Sequence, residues 1–100
     1  MKAVLIHRAT NSQYLVAQSG ESFFLLAARS PYLPDFQVGD PIEFEMKGYE
    51  KSLVRDLNTG KSFDASYILL YPDRFTALTA AFELGWEDSS PQRKSAKSAA

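Results

Sequence analysis

The side chains of this 100-residue chain that could do chemistry are few, and most stand alone. His7 is the single histidine, and no Gly-x-Ser-x-Gly elbow or comparable nucleophile motif accompanies it. A general base needs a partner within hydrogen-bond reach, so His7 reads as a strand-end residue at a rim. Gly60-Lys61-Ser62 matches the tail of a phosphate-binding P-loop. That motif needs a glycine where Arg55 stands, and a helix where the following residues look like a strand. A glycine turn is the better reading. Glu43 and Glu45 share a strand face about 7 Å apart, given a rise of ~3.4 Å per residue. Lys47 continues their row, which marks the wet side of an amphipathic strand. Asp35 and Asp40 flank a proline-rich stretch and read as turn-makers. The absence of cysteine excludes disulfides and thiolate metal sites. No enzyme, no metal and no small-molecule cofactor are expected.

The aromatic residues are more suggestive. Tyr14, Phe23, Phe24, Tyr32 and Phe36 form the richest concentration, and Arg8 and Arg29 are the nearest obvious cations. Exposed rings interleaved with Lys or Arg make stacking platforms for single-stranded nucleic acid. The charge balance pulls the other way. Eleven basic against 12 acidic residues give −1, but Arg93, Lys94 and Lys97 lie in the last ten residues. Residues 1–90 therefore hold 8 bases and 12 acids, or −4. Because nucleic-acid affinity comes largely from neutralised phosphates, an acidic body disfavours strong non-specific binding.

These residues must be positioned by short strands. With 45% hydrophobic residues the chain can fill one core. Residues 2–8, 12–18 and 22–28 are rich in β-branched and aromatic types, and Ser19-Gly20 is a hairpin signal. Residues 41–47 alternate strictly, with Ile42, Phe44 and Met46 on the dry face. Gly48-Tyr49 reverses the chain into residues 52–57, and 58–61 turns it again into strands at 61–65 and 67–71. Five or six such strands predict a mainly β fold, a small antiparallel barrel. Its interior is expected to hold Val4, Ile6, Leu15, Ile42, Phe44, Met46 and one face of 22–28. The long connection 29–40, with Tyr32, Leu33 and Phe36, is expected to plug one end.

One C-terminal helix follows over about 73–85. Pro72 opens it, Asp73 sits in its first turn, and Gly85 stops it. Phe75, Leu78 and Phe82, spaced i, i+3 and i+7, with Ala81 beside them, form its apolar stripe. One domain spans 1–88, and 89–100 reads as a disordered, removable tail. The longest apolar run, residues 23–28, is too short to span a membrane, and residues 3–6 are too short for a secretory signal. A soluble cytoplasmic protein is expected. The first three strands are apolar on both faces, and one face must line the barrel. The other demands a cover: the helix, a second subunit or a ligand.

This order of elements resembles the OB-fold, in particular its cold-shock and S1-like branch, with an SH3-like barrel as the alternative. The resemblance is carried by three meander strands, a long loop, and the opening Val38-Gly39-Asp40-Pro41-Ile42-Glu43-Phe44, over residues 2–57. It implies a binding module for single-stranded DNA or RNA on the outer face of strands one to three. Tyr14 and Phe23 or Phe24 would stack bases, with Arg8, Arg29 and Lys2 near the backbone. The strands lack the Phe-x-Phe or Phe-x-His pair of that branch. The alternative is a protein-interaction or regulatory module that buries the same apolar face against a partner chain. The binding residues expected on either reading are Arg8, Tyr14, Phe23, Phe24, Arg29 and Tyr32.

Overall fold

The computed structural model describes residues 1–8, 12–29, 36–47 and 49–89, the last five by their backbone alone. Six strands are followed by one helix: β1 (Lys2–Arg8), β2 (Tyr14–Ser19), β3 (Ser22–Ala28), β4 (Pro41–Glu43), β5 (Ser52–Asp56), β6 (Ser62–Tyr71) and α1 (Arg74–Ser89). The strands close into an antiparallel barrel in the order β1-β2-β3-β6-β5-β4. Closure removes every free sheet edge among the described strands. The mainly β barrel with one C-terminal helix expected from the sequence is the fold observed.

Local chemistry explains the connections. Ser19 faces Ser22, so Gly20 and Glu21 form a two-residue turn, and Gly20 takes a φ of 60° that suits glycine. Between β5 and β6, Asp56 Oδ1 accepts from the N–H groups of Asn58 (2.8 Å) and Thr59 (3.1 Å). Gly60, at φ 77°, completes this turn, and β6 begins directly after it. The Gly60-Lys61-Ser62 segment is therefore a hairpin turn. The strands expected at 61–65 and 67–71 are one ten-residue strand, with Ser66 bulged where β3 pairs Ala27 with Tyr67 and Ala28 with Ala65.

Two apolar layers result. The barrel interior holds Ala3, Leu5, Leu15, Ala17, Phe24, Leu26, Ile42, Phe44, Val54 and Ile68. Phe36 closes it from the long connection, 4.8 Å from Phe63 edge to face. The expected plug is thus present at Phe36, while Tyr32 and Leu33 lie outside the described residues. The second layer lies between the outer face of the sheet and α1. It contains Tyr14, Val16, Leu25, Ala27, Ala77 and Ala81, with Ile6, Phe23, Leu69, Leu78 and Leu84 packed around them.

Several expectations are corrected. Val4 and Met46 are exposed and Ile6 lies under the helix, whereas Ala3 and Leu5 take the interior places of β1. A strand apolar on both faces has no alternation to fix its phase, and this phase also keeps Lys2 in water. Strand β4 ends at Glu43 rather than 47, at its pairing with Lys2 of β1. There Phe44 still exchanges backbone bonds with Met1, 2.9 Å from Phe44 N to Met1 O and 2.7 Å from the terminal amine to Phe44 O. Helix α1 starts one residue later than expected, with Asp73 as its cap: Thr76 N–H donates to Asp73 Oδ1 at 2.7 Å. It also continues through Gly85 to Ser89. One glycine costs a helix interior only about 1 kcal/mol, too little to end a helix already packed. Of the tail expected over 89–100, Ser89 is helical and the rest lies outside the described residues.

Candidate functional site

The outer face of β2 and β3, part of the surface expected to bind a ligand or partner, is occupied by the chain's own helix, which reaches β1 only at Ile6. Tyr14 pairs with Ala27 across β2 and β3, and both lie beneath α1, leaving Tyr14 only 6% exposed. Phe24 points the other way, into the barrel, where its ring meets Phe44 edge to face at 5.4 Å. Phe23 is half-buried at the border of the helix layer. None of these three presents an open ring face beside a row of cations. Base stacking at Tyr14 and Phe24 is incompatible with this packing.

The arginines are separated as well. A bulge in β1 shifts register between Leu5 and His7, so Arg8 falls opposite the interior residue Leu15. Its guanidinium lies at the barrel mouth and donates to the carbonyl of Phe36, holding the plug in place. Arg8 thus has a structural task. Arg29 is exposed just beyond β3, and Tyr32 lies outside the described residues. The five described residues of the expected set are not brought together as one surface.

The other sequence candidates resolve similarly. His7 is half-buried at a strand end. Glu43 stands in register with Lys2 on one side and Arg55 on the other, a cross-strand row of alternating charge. Glu45 pairs with Lys47 at 3.6 Å in solvent. An open groove against this wall, lined by Met1, Glu43, Phe44, Glu45, Lys47, Ser52, Leu53 and Arg55, therefore mixes both signs of charge, two carboxylates against Lys47, Arg55 and the terminal amine. Among the described residues no three His, Cys, Asp or Glu side chains converge as a metal site would require. No helix among them is long and apolar enough to cross a membrane.

Two features fell outside the site expected from the sequence. The first is on α1. Its buried face is Ala77 and Ala81, small residues that let the helix lie close on β2 and β3. That choice of face turns Phe75 and Phe82 of the stripe outward and leaves Leu78 at the border of the buried layer. Phe75 is 79% and Phe82 69% exposed, with Leu78 half-buried between them. The stripe is visible in the sequence, which leaves open what it packs against. The second is a pair of acids at the β5–β6 turn. Asp56 is fully buried, and while its Oδ1 accepts two backbone bonds, Oδ2 has no donor. Beside it lies Asp40, whose Oδ1 accepts from Asn58 Nδ2 at 3.3 Å and whose Oδ2 accepts from Gln37 N–H at 3.2 Å. Asp56-x-Asn58-Thr59-Gly60 carries an Asx-turn signal, but nothing in the sequence brings Asp40 to it.

No protein-family model matches the chain, and no significant similarity was found to any curated protein or any solved structure.

Proposed function

We propose that this chain is a non-enzymatic protein-interaction module that offers the outward face of α1 to a partner with an apolar groove. The exposure of Phe75 and Phe82, one on either side of Leu78, carries this reading. Anchors at i, i+3 and i+7 on one helix face are the pattern of helix-in-groove recognition. The closed barrel leaves no edge for strand addition among the described strands, so the helix is the element suited to docking. Its sequence holds Arg74 against Glu83, Glu87 and Asp88, which favours a basic rim on the partner groove. Self-pairing is disfavoured on area. A phenylalanine buries about 150–250 Å², so two largely exposed rings offer roughly 300 Å² per chain. Two copies fall well short of the ~1,200–2,000 Å² typical of a stable pair.

The nucleic-acid reading draws on the OB-like order of elements, and the six-stranded closed barrel is consistent with that architecture. Against it stand the burial of Tyr14 and Phe24 and the engagement of Arg8 with Phe36. The absence of cysteine suits a reducing, cytoplasmic setting.

A photo-crosslinking phenylalanine at position 78, used in nuclease-treated extract of the native cell, tests the proposal. One protein should crosslink, and in purified form it should bind the chain in solution. The double variant Phe75→Ser/Phe82→Ser should weaken that binding at least about 100-fold, as loss of two anchor rings implies. Two results would overturn the reading. One is a dimer of this chain that the double variant abolishes. The other is tight binding of a labelled single-stranded oligonucleotide that survives the double variant.

A further inference from the structure

The acid pair at the β5–β6 turn carries an inference separate from docking. A buried polar atom without a partner costs free energy, and an ionised one costs far more. Asp56 Oδ2 is such an atom: it is out of solvent and no N–H or O–H among the described residues reaches it. Its carboxyl is nonetheless held in place. The N–H groups of Asn58 and Thr59 fix Oδ1, and the same Asn58 reaches across to Asp40 through its amide. The two acids therefore face each other with one asparagine gripping both. Two ionised carboxylates would not settle in that arrangement.

We propose that Asp56, when protonated, donates its Oδ2 proton to Asp40, forming a proton-operated latch. The latch joins the turn ahead of β4 to the turn between β5 and β6. A protonated carboxyl supplies the one donor that Oδ2 lacks, and ionised Asp40 accepts it. The proton stays within the pair, and no other atom needs to move.

The surroundings agree. Across the ladder from Asp56 stands apolar Ile42, and β1 meets the pair through Leu5, whose N–H donates to the Asp40 carbonyl at 3.0 Å. Lys61 contributes its carbonyl to Asp56 N–H at 2.8 Å while its side chain is exposed. Gln37, Asn58 and Thr59 are uncharged. Asp40 is thus the charge that Asp56 faces among the described residues, and it has the same sign. Burial first, then the bond with Asp40, pushes the Asp56 carboxyl above its ordinary value of 3.8, against the pull of the Asn58 and Thr59 N–H groups. Asp40 is held below that value, by the bond with Asp56 before those from Gln37 and Asn58. A divalent cation is the competing occupant. It needs six or more oxygen ligands, whereas two carboxylates meet here.

The latch has a consequence for the plug. The chain between Phe36 in the barrel mouth and Pro41 at the start of β4 is anchored by Gly39 N–H on the Leu5 carbonyl at 2.7 Å, and by Asp40. Loss of the proton sets two carboxylates against each other and loosens this anchor, so the mouth opens more readily as pH rises.

Carbon-13 NMR of the aspartate carboxyl groups of the full chain, titrated from acid to mildly alkaline pH, tests this. Asp56 should ionise above 3.8 and Asp40 below it, and the amide signals of Gln37, Asn58 and Gly60 should move with the Asp56 midpoint. A second arm uses Asp56→Asn, whose side-chain N–H₂ imitates the protonated acid. Its melting temperature should lack the wild-type decline at rising pH. An Asp56 that ionises at or below 3.8 would overturn the latch, even if the variant fails to fold. So would carboxyl signals that shift on addition of calcium or magnesium chloride with the protein at constant pH.

Discussion

At the scale of single residues, three aspartates set how the fold responds to pH, and their signs differ. Asp73 is held below its ordinary value by the N–H and hydroxyl of Thr76, at 2.7 and 2.9 Å. Asp40 is also lowered. A lowered group stabilises the fold above its unfolded-state value, and that contribution fades as pH falls through the folded one. Asp56 is raised, so its contribution is complete below 3.8 and fades as pH climbs through the higher folded value. These three groups should therefore cost stability on both sides, Asp40 and Asp73 as pH falls and Asp56 as it rises, and thermal melts across pH will show whether they do. Asp73→Ala should fray the start of α1 and reduce the acid-side loss, read from helical circular dichroism. At Gly60 the turn needs φ of 77°, so Gly60→Ala should cost about 1 kcal/mol in denaturant unfolding. The turn role of Gly60 was legible because the dipeptide chemistry is local. The partnership of Asp40 with Asp56 was not, since it joins turns sixteen residues apart that only the barrel brings together.

The strands and the helix show where pattern stops being decisive. Strand β3 has the same bounds in sequence and structure, because glycine at the hairpin and apolar residues throughout leave no competing element. For α1 the pattern offered two faces. Phe75, Leu78 and Phe82 make one apolar row, and Ala77, Ala81 and Leu84 another, with nothing in hydropathy to rank them. Packing ranks them. The outer sheet face already carries Tyr14, Val16 and Leu25, so the helix must approach with small side chains. Bulky rings on that face would hold it away, and the larger row is left in solvent. The sequence did reveal that the two-sided strands required a cover and named the helix as one candidate. It follows that Ala77→Leu should destabilise the protein by about 1–3 kcal/mol through overpacking. Phe82→Leu, on the other face of the same helix, should change stability by less than about 0.5 kcal/mol. Urea unfolding of the two variants separates these faces.

For the whole molecule, the decisive fact is that α1 covers one side of the barrel wall. Strands β2, β3 and β6 have apolar residues behind them in the barrel and before them under α1. Strands β4 and β5 present Glu43, Leu53 and Arg55 outward, with no element over them among the described residues. Amides sandwiched between two apolar layers open only when the whole fold opens, while those with one wet face exchange through smaller fluctuations. Hydrogen exchange should therefore be slowest at Val16, Leu25, Ala27 and Leu69, and faster along β4 and β5. Raising pH through the ionisation of Asp56 should widen that gap, because the latch anchors β4 and the β5–β6 turn but not the helix-covered strands. Binding of a partner along α1 should in contrast slow exchange in the helix itself, where Phe75 and Phe82 now face water. Uniform protection around the barrel would mean that the helix layer adds no stability beyond closure, and that α1 is an appendage to the fold.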